Sequence, residues 1–196
     1  MLTLLLLGLA HGPGASVAHA AAAPALPSTL SATATPGFDP ARPCDSPAHH
    51  AFDFWLGDWA VYDAQSGRQV ATDHVDALYG HCVIRQQMRF VGQTYRHPGT
   101  PFPLAGMSIS RFDGQHWVQL WADNQWGAII LSGKARADGA VELDSVIPSR
   151  GRDMRLVWHA VPDGVRIEQA GAVAGSGTYE TYPALLYRRL KPAKSK

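Results

Sequence analysis

Charge and sulfur are both scarce in this chain. Asp, Glu, Lys and Arg make up 17% of its 196 residues, and there are two cysteines. Two thiols are too few for a disulfide-rich scaffold or an all-cysteine zinc site. Long apolar runs are missing as well. The clearest one, residues 2–10, falls well short of the ~20 residues that a membrane-crossing helix needs, so no stable membrane anchor is expected. No segment keeps a 3.6-residue apolar period over three turns, which argues against a helical domain. A basic face is absent too. The alkaline pI of about 7.9 belongs to residues 188–196, which hold five basic residues and no acid. Elsewhere 12 basic residues face 16 acidic ones. That balance opposes nucleic-acid binding, which needs a positive footprint on the folded body.

The run at residues 2–10 is followed by Gly12-Pro13-Gly14 and by Ala18-His19-Ala20, a small-x-small cleavage site. This pattern predicts a secretory signal peptide over residues 1–20, cut after Ala20, and a periplasmic or secreted protein. It departs from the usual pattern in having no Lys or Arg ahead of the run. Residues 21–43 are rich in Ala, Pro, Ser and Thr. They hold too little apolar surface to offset ordering entropy and read as a disordered leader. Residues 191–196 read as a solvated basic tail. Residues 44–190 remain as one domain, long enough for a substantial core. In an oxidising compartment, Cys44 and Cys82 most simply form one disulfide.

From residue 58 onward, short runs alternate apolar and polar side chains. Turn signals break them at Ser66-Gly67, Tyr79-Gly80, Asp113-Gly114, Asp138-Gly139 and Asp163-Gly164. The pattern predicts ten strands, at residues 58–64, 69–78, 81–91, 104–112, 116–123, 127–135, 140–147, 154–161, 165–170 and 178–190. Short connections favour hairpins and hence antiparallel neighbours. An open sheet of ten strands would expose two edges, whereas closure removes them. The expected fold is an all-β, antiparallel up-and-down barrel of about 8–10 strands, with a β-sandwich as the alternative. Residues 92–103, rich in Gly and Pro, form a long connection, a candidate lid over an open barrel end.

The segment Phe52-Asp53-Phe54-Trp55-Leu56-Gly57-Asp58-Trp59 stands at the entrance of the first strand, and Tyr187-Arg188-Arg189 closes the last. With these, the chain resembles the calycin group. Within it, the chain is similar to exported bacterial lipocalin-like domains of unknown function that carry an F-D-F-W-x-G-x-W entrance. The resemblance covers roughly residues 44–190. In lipocalins the Gly-x-Trp indole plugs the closed end of the barrel and an arginine of the last strand lies across it. The resemblance thus implies a barrel-end plug of Trp55, Trp59 and Arg188 or Arg189, with a cation–π contact of ~0.5–2 kcal/mol. Two departures stand out: no arginine follows His50, and Gln86 lies where an acidic residue is frequent nearby.

Period-2 alternation puts Trp117, Gln119, Trp121 and Asp123 on one face of the fifth strand. A polar residue between two indoles suits a ligand pocket, which has apolar walls and a few placed polar groups; plain packing is the alternative. The same alternation aligns Gln86 and Met88 on the third strand, and Met107, Ile109 and Arg111 on the fourth. An inward Arg111 would anchor a carboxylate or phosphate. A salt bridge to Asp123 or Asp144, or exposure on the outer face, costs less. Beyond the predicted signal, histidines are scattered singly apart from His49-His50. No pair has the spacing of a metal site on one strand face, so no metal is expected. No cofactor is expected either. Haem is the alternative, because nitrobindin-type barrels of the same superfamily bind it through a histidine, and His97 and His159 are the candidates here. Gly175-Ser176-Gly177 lacks the Lys-Ser/Thr of a phosphate loop, and no Ser, His and Asp set stands out. The sequence therefore predicts an exported barrel that binds or carries a small apolar or amphipathic ligand. The alternatives are an enzyme using the cavity for isomerisation or hydrolysis, and a filled barrel acting as a structural or interaction module.

Overall fold

The structure, a computed structural model, describes residues 41–92 and 95–190. The predicted signal peptide with its cleavage after Ala20, nearly all of the leader, and the basic tail lie outside the described residues. Ten strands follow in chain order: β1 (Gly57–Asp63), β2 (Gln69–Leu78), β3 (Val83–Phe90), β4 (Ala105–Phe112), β5 (Trp117–Asp123), β6 (Ala128–Ala135), β7 (Val141–Ser145), β8 (Arg152–Val161), β9 (Gly164–Val173) and β10 (Glu180–Arg189). Each pairs antiparallel with its sequence neighbours, and β1 pairs with β10 to close the barrel. Closure excludes the sandwich and matches a calycin-type, up-and-down architecture. Among the described residues, no helix is long and apolar enough to cross a membrane.

Local chemistry explains where the strands depart from the sequence pattern. The third strand begins at Val83 rather than residue 81, because Tyr79, Gly80 and His81 all take positive φ values (53°, 63° and 71°). Left-handed residues form a tight turn and cannot join a ladder. The ninth strand runs on to Val173, where it pairs with Arg152 of β8. Ahead of β1 the chain makes two single-turn 3-10 segments, Pro47–His50 and Asp53–Trp55.

Those turns lay the entrance segment across one end of the barrel. Phe52, Trp55, Trp59, Trp117, Trp158 and Tyr187 are all buried there. Phe52 meets Trp117 and Trp158 edge to face, with centroids 4.8 and 5.4 Å away, the arrangement that aromatic quadrupoles favour. The Trp59 indole N–H donates to the Trp55 carbonyl at 2.8 Å. On its solvent side the Arg189 guanidinium lies 4.1 Å from the ring centroid. Arg189 and not Arg188 makes the stack. Trp59 and Arg189 are opposite one another in register, and Arg188, one residue earlier, points to the other face of the sheet. Gly57 completes the arrangement: its φ is +136°, and a Cβ there would sit 1.8 Å from Arg189 Nη1.

Cys44 and Cys82 are joined, with Cα atoms 5.0 Å apart and a sequence separation of 38. The bond ties the segment before the entrance to the turn before β3. Closing a loop of this length stabilises the fold by about 4 kcal/mol in the chain-entropy model.

Two outcomes follow for denaturant melts. Arg189→Ala should cost about 1 kcal/mol, as expected for a cation–π pair with one face in water. Arg188→Ala should cost under ~0.5 kcal/mol, as for an ordinary surface position; equal losses would refute the assignment of the stack. Reducing the Cys44–Cys82 bond should lower the unfolding midpoint, and an unchanged midpoint would contradict its stabilising role.

Candidate functional site

Above the aromatic floor the interior holds a cavity of about 440 Å³, within the roughly 300–1,000 Å³ range of small-molecule sites. Trp55, Trp158 and Tyr187 border it below, and Leu131, Leu156, Ile167 and Leu185 are among its walls. The polar residues at its edge are Gln86, Gln119, Gln169, Arg96 and Asp123. Met88 and Trp121 line it as well.

The inner face of β4 explains how this space arises. Gly106, Ser108 and Ser110 point inward, the two serines being fully buried. A Cβ on Gly106 would lie 2.3 Å from Cζ2 of Trp121, so the glycine makes room for that indole. Ser108 Oγ donates to Gln86 Oε1 at 2.9 Å, and Gln86 Nε2 donates to Asp73 Oδ2 at 2.6 Å. Gln119 Nε2 donates to Ser110 Oγ at 2.9 Å. The buried amides are thereby oriented by small neighbours on the adjacent strand, as buried polar groups must be.

Three expected cavity residues lie elsewhere. Met107, Ile109 and Arg111 occupy the outer face of β4; Met107 and Ile109 are 41% and 46% exposed, and Arg111 is exposed. Ile109, Leu120 and Ile130 stand opposite one another on the outer surface. Apolar content marks both faces of these strands, so it does not reveal which one is inside. Steric demand does, because the small side chains must face the large ones. Arg111 also lacks the two ion-pair partners considered for it: Asp144 is engaged by Arg155 Nε at 2.7 Å, and Asp123 is a turn-forming residue. Asp123 Oδ1 accepts the backbone N–H groups of Gln125, Trp126 and Gly127, while Oδ2 accepts the Trp121 indole N–H at 2.9 Å. Asp123 borders the cavity with its carboxylate already committed. Trp117 is on the expected inward face but belongs to the floor, its indole N–H donating to the Ala48 carbonyl at 3.1 Å.

Residues 95–103 cover part of the mouth and are tied down. Tyr95 packs on Phe90 with centroids 5.0 Å apart, and its hydroxyl donates to Asp63 Oδ2 at 3.4 Å. Burial, with the Asp63 carboxylate close by, pushes the Tyr95 hydroxyl up to about 12. Asp63 itself is held below the usual carboxylate range by the backbone N–H and hydroxyl of Ser66. Gln125 Oε1 accepts the His97 N–H at 2.7 Å, and the Trp126 indole N–H reaches the Tyr95 carbonyl at 3.3 Å. Of the two haem-ligand candidates, His97 lies against Trp126 at 4.7 Å between centroids. His159 sits one position beyond the inward Trp158, on the outer face. Neither borders the cavity.

Asp73 was not singled out from the sequence, although its signal is visible: it is an acid in register with Ala71 and Val75, both inward and buried. It is 3% exposed and lies behind Gln86 and beside Tyr187. Burial pushes its carboxyl up to about 7, partly offset by its bond to Gln86. Burial and the neighbouring Asp73 also push the Tyr187 hydroxyl well above its ordinary range. An acid whose folded pKa exceeds its unfolded value of 3.8 keeps a proton that the unfolded chain sheds. Its effect on stability therefore becomes unfavourable as pH rises between those two values. Asp73→Asn should flatten the fall in melting temperature between about pH 4 and about pH 7, the interval that the two values bound. A variant with the same pH profile as the parent would contradict this assignment.

No family model matches the chain, and no curated protein sequence does.

Proposed function

We propose that the protein is an exported, lipocalin-like carrier that holds a small amphipathic molecule in the barrel interior. The observation that carries this reading is an apolar cavity of about 440 Å³ above a sealed aromatic floor. A filled structural barrel has no use for that space, because interiors otherwise pack to crystal-like density. The apolar part of the ligand lies among Leu131, Leu156, Ile167, Leu185 and Trp121. Its head group lies near the mouth, beside Arg96, a half-buried cation with no ion-pair partner among the described residues. A guanidinium in such a setting favours a carboxylate or another anion. Gln86 and Gln119, fixed by Asp73 and Ser110, supply orientation without charge.

The N-terminal sequence pattern and the disulfide support export, since such bonds persist in oxidising compartments. The closed ten-stranded barrel and the Trp59–Arg189 stack support membership of the lipocalin-like group. An enzymatic reading has one observation in its favour, the buried Asp73 beside Tyr187, whose perturbed titration is typical of functional sites. Asp73 does not itself border the cavity, however, and Gln86 stands in front of it. Binding is therefore preferred to turnover.

Native mass spectrometry of protein purified from its own host should reveal a co-purified small mass. In a displacement assay with an environment-sensitive hydrophobic dye, dodecanoate should compete. Leu131→Trp, which fills the cavity, should abolish dye binding in a folded protein. Arg96→Ala should weaken dodecanoate by about tenfold, the scale of a hydrogen bond to a charged group, and leave dodecanol unchanged. A bare mass together with no dye fluorescence would refute the carrier reading.

A further inference from the structure

We propose that His50, Asp53 and His81 form a site for one divalent transition-metal ion, Zn²⁺ by its ligand chemistry, at the closed end of the barrel. His50 Nδ1 lies 2.8 Å from Asp53 Oδ2, and His81 Nε2 lies 2.7 Å from Asp53 Oδ1. The two imidazole rings lie with centroids 4.3 Å apart and planes tilted by 36°, and one donor atom from each of the three residues falls within 4.8 Å of the others. Two imidazole nitrogens and a carboxylate oxygen are a recognised zinc donor set, with a fourth position left for water. Bonds of about 2.0–2.2 Å in a tetrahedron place neighbouring donors roughly 3.3–3.5 Å apart, so each of the two short contacts needs to open by less than ~1 Å. All three side chains are partly open to solvent, which gives an ion access.

The surrounding structure holds the donors in place. His50 and Asp53 are three residues apart, and the chain turns at Ala51 and Phe52 between the two 3-10 segments. His81 comes from 28 residues further along the chain. It adopts a left-handed backbone at φ +71°, a strained conformation for a residue with a Cβ. The next residue, Cys82, is bonded to Cys44, and Asp45 follows Cys44. The disulfide thus clamps together the two chain segments that supply the donors. The Asp45 carboxylate lies 3.5 Å from the other ring nitrogen of His50, Nε2. A carboxylate behind a ligating imidazole fixes its tautomer and raises its basicity. No spacing rule along one strand finds this group, because its members meet only through the entrance turns and the cross-link.

The test is a competition between the untagged, metal-stripped chain with its disulfide intact and a chromophoric zinc chelator. One equivalent of Zn²⁺ should bind and raise the melting temperature. His50→Gln and His81→Gln should each weaken binding by at least about tenfold, the usual consequence of losing a ligand or its support. The metal-free variants should keep the parent's circular-dichroism spectrum, showing that they fold. Replacing both Cys44 and Cys82 by Ser, which removes the clamp without creating thiolate ligands, should weaken Zn²⁺ binding. Failure to take up one equivalent, or uptake unaltered in both variants, would overturn the site. Asp53→Asn provides a further check that keeps the side-chain shape: retained full affinity in that variant would also count against it.

Discussion

Trp59 and Arg189 face each other across the seam where the first strand meets the last, and the rest of the molecule is arranged around that contact. The indole is held on three sides: by the Trp55 carbonyl through its N–H, by the guanidinium over its ring, and by Tyr187 at 6.1 Å. Gly57 is needed because the guanidinium occupies the space a side chain would take. With Trp59 fixed, the preceding segment has to turn across the barrel end. It brings Phe52 and Trp55 under Trp158 and Trp117 as a continuous aromatic floor. The cavity exists because that floor stops partway up the barrel and β4 contributes only small side chains above it.

The two ends of the barrel are built by different means. The closed end is a mass of large rings, most of them held by packing: among the described residues, the indole N–H groups of Trp55 and Trp158 have no hydrogen-bond partner. Loss of such a bond typically costs ~1–3 kcal/mol, a cost that the burial of two indoles offsets. The open end relies on polar ties instead. Asp63 and Asp123 each gather backbone N–H groups into a turn, and Gln125 draws residues 95–103 toward the β5–β6 connection. Rings exclude water from one end, whereas directional bonds shape the other without filling it.

The strands were legible because their polar turns and period-2 alternation are local properties. The fold class followed from short connections and the cost of exposed edges. The cavity was only partly legible. Alternation gives the face of a residue but not its height along the barrel axis, so Trp117 was expected in the pocket and is in the floor. It also fails where both faces are apolar, as at Met107 and Ile109, where the deciding fact is the fit of Trp121 against Gly106. The choice between Arg188 and Arg189 needed the β1–β10 register, which no local pattern contains. The meeting of His50, Asp53 and His81 needed a left-handed turn and a cross-link, both properties of the folded chain.

The seam between β1 and β10 also sets an order of assembly. Every other strand pair joins sequence neighbours, and each hairpin can form as soon as its second strand exists. The last ladder cannot form until residues 185–189 are available, since they pair with the edge of β1 that β2 leaves free. Until then the growing sheet has two unpaired edges, the feature that most exposes a β-protein to association with other chains. Cys44 and Cys82 both lie in the first half of the chain. Their cross-link can therefore be made while the sheet is still open, so the N-terminal hairpins are restrained early and closure is the step that remains.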